Sequence, residues 1–134
     1  MNYWLLKTEP DTFSWDDLAR DKKAVWDGVR NFKARSNMKA MKKGDWAFVY
    51  HTGDEKSVVG IAEVVREAYP EPNDTDWVAV DLKPVRKLTF PVALSVVKAD
   101  KTLGEMVLVK VARLSVQPVK KEEFDRIIDL SEKQ

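Results

Sequence analysis

The sequence of 134 residues contains no cysteine and a single histidine, His51. Without cysteine there is no disulfide framework, thiol nucleophile or thiolate metal site, which is typical of a protein from a reducing compartment. Only carboxylates remain as metal ligands, and the acidic run Asp74-Thr75-Asp76 lacks the spacing of a calcium loop. The five glycines form neither a phosphate loop nor a dinucleotide-binding fingerprint. We therefore expect no cofactor and no obligatory metal.

Long apolar stretches are also missing. No run reaches the ~18 residues that a membrane span requires, and the N-terminus lacks the basic segment that opens a secretory signal. These features predict a soluble, cytoplasmic protein without a membrane partner. The length fits one domain, and no linker, low-complexity tract or repeat divides the chain, so we predict a single domain over residues 1–134.

Positive charge is concentrated in one segment, although the whole chain carries a net charge of only +1. Residues 20–43 hold nine Lys and Arg side chains against two Asp, a local net charge of +7, and both flanking segments are net negative. Such a stretch can form a phosphate-binding face that the total charge conceals. The alternative is a solvated lysine-rich surface, and charge alone does not decide between the two.

Alternating apolar side chains predict a strand-rich chain with short helices around the sheet. The first strand, residues 2–8, is apolar on both faces and is therefore expected to have neighbours on both sides. Ser14 and Asp17 form a capping-box pattern that predicts a short helix from Trp15. Further extended segments are predicted at 24–26, 45–51, 57–69, 77–88 and 106–119, and helical ones at 31–43, closed by Gly44, at 92–99 and at 120–130. The pattern indicates an α+β fold with a curved, mixed or antiparallel, barrel-like sheet.

Five tryptophans are many for a chain of this length. Trp4 and Trp46 lie in strand patterns and are expected in the core. Trp26 differs because it precedes an Asp-Gly turn and is followed closely by polar and basic side chains. These are Arg30, Asn31, Lys33 and Arg35. An accessible indole can stack on a base, and neighbouring Asn or Arg can bond its edge or a phosphate, so we predict a base pocket here; a buried Trp beside a salt-bridged loop is the alternative.

Several ordered motifs resemble those of EVE domain proteins over about residues 3–130. They are WLLKTEP at 4–10, WDGVRNF at 26–32 followed by Ala34-Arg35, Gly44-Asp45, Tyr50-His51, VGIAEV at 59–64 and RLSVQPV at 113–119. Phe32 and Ser36 stand where Tyr and Asn are common in that family. The resemblance implies a PUA-like fold, a twisted pseudo-barrel with flanking helices.

The resemblance also implies nucleic-acid binding. The thymocyte nuclear protein family, which has the same motifs, is associated with modified cytosines in DNA. A more distant similarity is to YTH domains, which hold methylated adenosine of RNA in an aromatic cage; there Lys7-Thr8 and Trp26 match the Lys-Ser pair and the first cage Trp. We therefore predict a non-catalytic module that accepts a single modified nucleobase, from DNA or from RNA, beside a basic surface.

The predicted base pocket has one stacking residue, a second aromatic wall and several polar groups for the edge of the base. Trp26 is expected to stack, Tyr50 to form the second wall, and Asn31, Ser115, Thr8 and Gln117 to contact the polar edge. The predicted phosphate-binding residues are Lys7, Arg30, Arg35, Lys33 and Lys39. Each has a structural alternative: Arg30 could pair with Asp27, Asn31 could cap a helix, and Ser115 could satisfy a sheet-edge amide.

Two other classes of function stay open. A nucleotide-modifying or nucleotide-cleaving enzyme would use His51 as base with a carboxylate such as Glu63, although a lone histidine in a strand is usually a packed, hydrogen-bonded residue. A protein-interaction module would use the acidic N-terminal stretch and Trp15. The sequence does not determine the oligomeric state.

Overall fold

The computed structural model describes residues 1–133, and Gln134, the last residue of the predicted domain, lies outside them. The predicted α+β class is confirmed by a six-stranded sheet with short helices around it. The strands are β1 (Tyr3–Thr8), β2 (Ala24–Trp26), β3 (Trp46–His51), β4 (Ser57–Pro70), β5 (Val78–Ala93) and β6 (Val116–Val119). The helices are α1 (Trp15–Asp21), α2 (Phe32–Ala40), α3 (Leu94–Ala99), a 3-10 turn (Lys101–Leu103), α4 (Val107–Lys110) and α5 (Lys121–Ser131).

The sheet is mixed, with the strand order β2-β5-β4-β3-β1-β6. β1 and β3 are parallel, and the other neighbouring strands are antiparallel. A parallel pair needs a long crossover, which here contains α1, β2 and α2. β1 lies between β3 and β6, as its two apolar faces predict, and Trp4, Leu5 and Leu6 are buried.

Two hydrophobic clusters cover opposite faces of the sheet. Alternate residues of β1 belong to opposite clusters. Leu6 belongs to one that also contains Trp15 and Trp26, which we call the Trp-rich cluster, and Leu5 belongs to the other, the Phe-rich cluster. The Phe-rich cluster stacks Phe48 on Phe124 of α5, with ring centroids 4.3 Å apart. Trp26 of one edge strand, Val116 of the other and Met38 of α2 pack into the same Trp-rich cluster. The sheet therefore curls around α2, as a barrel-like architecture requires.

Two tight features fix helix α1 and its position against the sheet. Ser14 and Asp17 form the predicted capping box, with each side chain accepting a bond from the other residue's backbone amide. The indole of the following residue, Trp15, lies flat against Gly60 of β4, where an added Cβ would come within 2.5 Å of the ring. Glycine at position 60 is therefore needed for the close approach between helix α1 and the sheet.

Three predicted segments differ from the structure. β5 continues to Ala93 because Val92 and Ala93 pair with the start of β4, so α3 begins only at Leu94. Residues 106–119 are not one strand, because residues 107–110 form the short helix α4, which buries Leu108 in the Phe-rich cluster. Gly44 does not end α2, which is capped at Met41; its positive φ of 94° serves the turn into β3.

Within residues 1–133, no helix has both the length and the apolarity that crossing a membrane demands.

Candidate nucleic-acid interface

A cavity of about 370 Å³ opens beside Trp26, in the size range of small-molecule sites. It forms where the two edges of the curled sheet approach each other, between β2 and the start of β6. The remaining walls come from the end of β1 and from the loop that precedes α1. Its lining residues are Lys7, Thr8, Thr12, Phe13, Val25, Trp26, Asp27, Gly28, Val29, Arg30 and Ser115. We call it the Trp26 cavity.

Trp26 belongs to both the core and this cavity. Only 8% of the residue is exposed, because most of the indole packs in the Trp-rich cluster. The second aromatic side chain in the cavity is Phe13, whose ring meets Trp26 edge to face with centroids 5.9 Å apart. The sequence reasoning missed Phe13. A usable signal existed, since Phe13 precedes the Ser14 cap and Leu18 follows it at the spacing of a hydrophobic staple, which directs both side chains to the same core.

Tyr50 and Gln117 do not line the Trp26 cavity, so their predicted contacts with a base there are wrong. Both side chains lie on the other face of the sheet, since Tyr50 belongs to the Phe-rich cluster and Gln117 pairs with Leu5 of that cluster. Burial raises the pKa of the Tyr50 phenol. Gln117 is fully buried, and its Nε2 donates to the Leu114 carbonyl at 2.8 Å.

Asn31 is also absent from the cavity walls. Its side-chain oxygen accepts a hydrogen bond from the Ala34 amide at 2.9 Å, and it therefore caps α2. The capping alternative is confirmed, and the predicted base contact of Asn31 stays a prediction. Asn is favoured at this position because its short side chain satisfies a free amide of the first turn.

Thr8 and Ser115 lie in the Trp26 cavity as predicted. The Thr8 hydroxyl donates to the Phe13 carbonyl at 2.7 Å, which fixes the loop that carries the second aromatic ring. The Ser115 carbonyl accepts from the Lys7 amide at 2.9 Å, whereas its hydroxyl has no hydrogen-bond partner among residues 1–133. Ser115 therefore presents a free polar group to the cavity.

The turn after Trp26 is held by Glu71, a residue that the sequence reasoning did not select. Its carboxylate accepts from the Gly28 amide at 3.1 Å and from two nitrogens of the Arg30 guanidinium at 2.8 Å each. Gly28 has a φ of 76°, a conformation that favours glycine. Arg30 holds the pKa of the Glu71 carboxyl below its usual value. Arg30 is thus a positioning residue of the turn that also lines the Trp26 cavity, and its predicted phosphate contact stays a prediction.

The same turn brings Asp27 to the Trp26 cavity. Its carboxylate is exposed and has no hydrogen-bond or ion-pair partner within the described part of the chain, residues 1–133. The sequence reasoning considered Asp27 only as a partner for Arg30. The geometry instead gives the cavity one free carboxylate beside the hydroxyls of Thr12 and Ser115.

The other predicted phosphate-binding residues surround the cavity or extend along α2. Arg35 lies over the rings of Phe32 and Trp77, 4.9 Å and 5.0 Å from their centroids, and donates to the Asp76 carbonyl. Lys33 and Lys39 are exposed on α2 and form no ion pair with any other residue of the described chain. Lys7 is half-buried, and its Nζ donates to the Ala112 carbonyl at 2.6 Å; burial lowers its pKa.

His51 pairs with a carboxylate, but with Glu55 and not with Glu63, the carboxylate named for the enzyme alternative. Its Nε2 accepts from the Trp15 amide at 3.0 Å, and its Nδ1 bonds to Glu55. Glu63 lies at the other end of β3, opposite Trp46, and accepts from that indole. The ring is buried with both nitrogens bonded, so His51 joins α1 to the sheet.

Two further features bear on the alternatives. Trp15, proposed for a protein-interaction surface, is 4% exposed and packs against Gly60, so it is not available on the surface. Across residues 1–133 there is no group of three or more His, Asp or Glu side chains that could hold a metal ion.

Sequence comparison agrees with the motifs. The profile of the EVE domain family matches residues 2–130. The chain belongs to the EVE domain family. It is 37% identical to mouse thymocyte nuclear protein 1, over 98% of this chain and 74% of that protein. Its identity to the human thymocyte nuclear protein 1 is 34%, over 99% of this chain and 75% of that protein.

Solved structures of EVE relatives have the same fold. The NMR structure of a Rhodopseudomonas palustris protein is 45% identical, with a TM-score of 0.94 over 98% of this chain and 94% of that one. The crystal structure of human THYN1 in complex with 5-methylcytosine-containing DNA is 34% identical, with a TM-score of 0.93 over 100% and 99% of the two chains. An ASCH protein from Zymomonas mobilis shares the fold at 15% identity and a TM-score of 0.62, over 96% and 94%. The expected PUA-like fold is confirmed.

Proposed function

We propose that this chain is a non-catalytic DNA-binding module that holds a modified cytosine in the Trp26 cavity. One observation carries the proposal: the indole wall adjoins a cavity of ligand size in an EVE fold, and human THYN1, a relative with the same fold, was solved with 5-methylcytosine-containing DNA. A modified RNA base and a cytoplasmic location stay predictions.

Stacking is the main source of binding energy in this proposal. Taking a paired base out of a duplex costs a few kcal/mol, and the cavity must return that free energy. Stacking on an aromatic ring contributes about 1 to 3 kcal/mol per base. Trp26 provides the flat wall, and Phe13, which meets it edge to face, closes the neighbouring side.

The free polar groups of the cavity match the edge of a cytosine. The exocyclic N4 amino group of cytosine is a donor, and Asp or Glu is its usual acceptor in protein contacts. Asp27 supplies that carboxylate, and the unbonded Ser115 hydroxyl can donate or accept. Thr8 lies close by, with a hydroxyl that already donates to Phe13 and keeps its capacity to accept. Asp27 and Ser115 are therefore the residues assigned to the base edge.

The basic residues around the cavity are assigned to the phosphate backbone. Lys7 lies at the cavity itself, and Lys33 and Lys39 extend the positive surface along α2. Arg35, held over two aromatic rings, presents its remaining N–H groups at the same surface. Such contacts contribute affinity without reading sequence.

The test compares duplexes that differ by one 5-methyl group, bound to wild type and to Asp27→Ala. Wild type should prefer the modified duplex, and Asp27→Ala should weaken binding to it by about 5- to 10-fold, within the 1 to 3 kcal/mol range of a base contact. Asp16→Ala removes an equal charge from an exposed position of α1 and serves as the control. Binding of the same two variants to methylated and unmethylated RNA tests the alternative that the modified base is in RNA.

Equal affinity of wild type for modified and unmodified duplexes would overturn the proposed function. Turnover of the modified oligonucleotide, lost in His51→Ala, would restore the enzyme alternative. If Asp27→Ala behaves like Asp16→Ala, the carboxylate does not contact the base edge, and that assignment is wrong.

A further inference from the structure

A second cavity lies on the other side of Lys7. Its volume is about 310 Å³, and its walls come from the end of β3, the turn into β4, the start of α3 and the residues around α4. Three of its lining residues are lysines, namely Lys7, Lys56 and Lys98, and none is Asp or Glu. We call it the lysine cavity. Lys7 is the one side chain that lines both cavities.

The charges of the lysine cavity are only partly compensated. Lys56 and Lys98 are exposed and make no ion pair within residues 1–133. Asp54 and Glu55, which precede Lys56 in the sequence, line a neighbouring cavity of about 340 Å³ that shares Lys56 and Lys98, and Glu55 is already bonded to His51. An anion can therefore satisfy the ammonium groups that the protein leaves free.

The lysine cavity suits a phosphate better than a second base. Its one aromatic ring, Tyr50, has the Lys7 ammonium 5.8 Å from the centroid, so a cation is already positioned over that ring. Aliphatic side chains such as Leu94 and Leu108 offer no hydrogen-bond donors or acceptors to a base edge, and the hydroxyl of Thr52 already donates to the Thr8 carbonyl. Lysine ammonium groups bind phosphate as point charges.

From this arrangement we propose that Lys56 and Lys98 bind a backbone phosphate of the same DNA strand whose modified base occupies the Trp26 cavity. The inference rests on the proposed function. Lys7 at the end of β1 joins the two cavities, so a strand that leaves one passes directly to the other. Exposed lysines bind a free phosphate weakly, but a phosphate tethered to a bound base reaches an effective concentration in the millimolar range.

The experiment measures DNA affinity against salt for wild type, for Lys56→Asn/Lys98→Gln and for the control Lys87→Gln/Lys133→Gln. Asn is used because position 56 has a left-handed φ of 43°, which Asn tolerates well. The control lysines are exposed and line neither cavity. Each lost phosphate contact lowers the slope of log affinity against log salt by about 0.9. Because Lys56 and Lys98 share one phosphate, the test variant should lower the slope by about 0.9, and the control pair should not.

Preference for the modified base separates this inference from the proposed function. In the test variant, affinity should fall equally for modified and unmodified duplexes, so their ratio should be unchanged. If the wild-type protein binds DNA without preference for the modified base, the proposed function is overturned. The salt slope still tests whether Lys56 and Lys98 bind a phosphate. A slope equal to that of the control pair overturns the inference.

A neutral methylphosphonate, placed at successive linkages beside the modified base, locates the contact. One linkage should weaken binding to wild type and have no further effect on Lys56→Asn/Lys98→Gln, because interacting groups are non-additive. Additive losses at every linkage would contradict a phosphate in the lysine cavity. Inorganic phosphate, as a competitor, should displace DNA poorly, because it is not tethered to a base. Strong displacement by inorganic phosphate would overturn the tethered phosphate in favour of a free-anion site.

Discussion

The surroundings of Trp15 and Trp26 differ although both indoles belong to the Trp-rich cluster and are almost equally buried, at 4% and 8% exposed. Trp15 lies against the backbone of Gly60, and its amide donates to His51. Trp26 has the core on one side and a cavity of about 370 Å³ on the other. The exposed fraction therefore does not distinguish the two tryptophans, whereas the space beside each ring does.

The difference arises from the backbone around each ring. The helix that carries Trp15 is fixed by its capping box and by the bond to His51, and it closes onto β4. Trp26 ends an edge strand and is followed by a turn that leaves the sheet. Glu71 holds that turn away from the ring by bonding Gly28 and Arg30. The region around Trp15 is therefore tightly packed, whereas the region around Trp26 leaves space beside the ring.

The largest effect is expected from Gly60→Ala, which removes the space that Trp15 occupies. The new Cβ would lie 2.5 Å from the indole, so the ring or the strand must move. Overpacking of this kind costs about 1 to 3 kcal/mol or more. Thermal unfolding followed by circular dichroism should show a clearly lower Tm. Gly104→Ala is the control, since its Cβ would meet only the Lys101 carbonyl at 3.8 Å; equal Tm values for the two variants would contradict the tight packing of Trp15.

The second effect concerns Trp26→Leu, compared with Trp15→Leu. Leucine keeps both core positions apolar but removes the flat ring. Trp26→Leu should lose about 1 to 3 kcal/mol of binding to the modified duplex, with less loss on the unmodified one. Trp15→Leu should lower the Tm and keep the preference for the modified base. Fluorescence-anisotropy titration, at a temperature where both variants are folded, measures the ratio of the affinities for modified and unmodified duplexes. If only Trp15→Leu lost the preference for the modified base, the base would stack on Trp15 and not on Trp26.

A smaller effect is expected from Glu71→Gln, which loosens the turn beside Trp26. Because Arg30 holds the Glu71 pKa below its usual value of 4.5, the ionised carboxylate stabilises the fold above that value. This stabilisation is lost as the pH falls through the lowered pKa. At neutral pH the Tm of Glu71→Gln should thus be a few degrees lower than that of wild type. In acid this Tm difference should become smaller. A Tm difference that stays constant from neutral pH to strong acid would contradict the role of the ion pair.

Several features could be predicted from the sequence because they depend on neighbouring residues. The capping box at Ser14 and Asp17 and the two-faced strand β1 are local signals, and each is confirmed. Trp26 and Ser115 were also selected correctly as cavity residues, since the EVE motifs contain both.

The remaining features depend on contacts between residues distant in sequence. Arg30 bonds to Glu71, 41 residues away, and no local pattern indicates that partner. Tyr50 and Gln117 were assigned to the wrong face because a motif does not specify which side of a sheet its residues occupy. Trp26 and Ser115 meet at one cavity only through the curl of the sheet, which brings its two edges together.

The most direct test of the central claim is an NMR titration that follows the indole Nε1–H resonances with DNA carrying one 5-methylcytosine. A base stacked in the cavity must change the magnetic environment of Trp26, whereas Trp15, sealed against Gly60, acts as an internal reference. We expect a large shift of the Trp26 signal with modified DNA, a smaller one with unmodified DNA and almost none for Trp15. An unchanged Trp26 signal at saturating modified DNA would contradict the account.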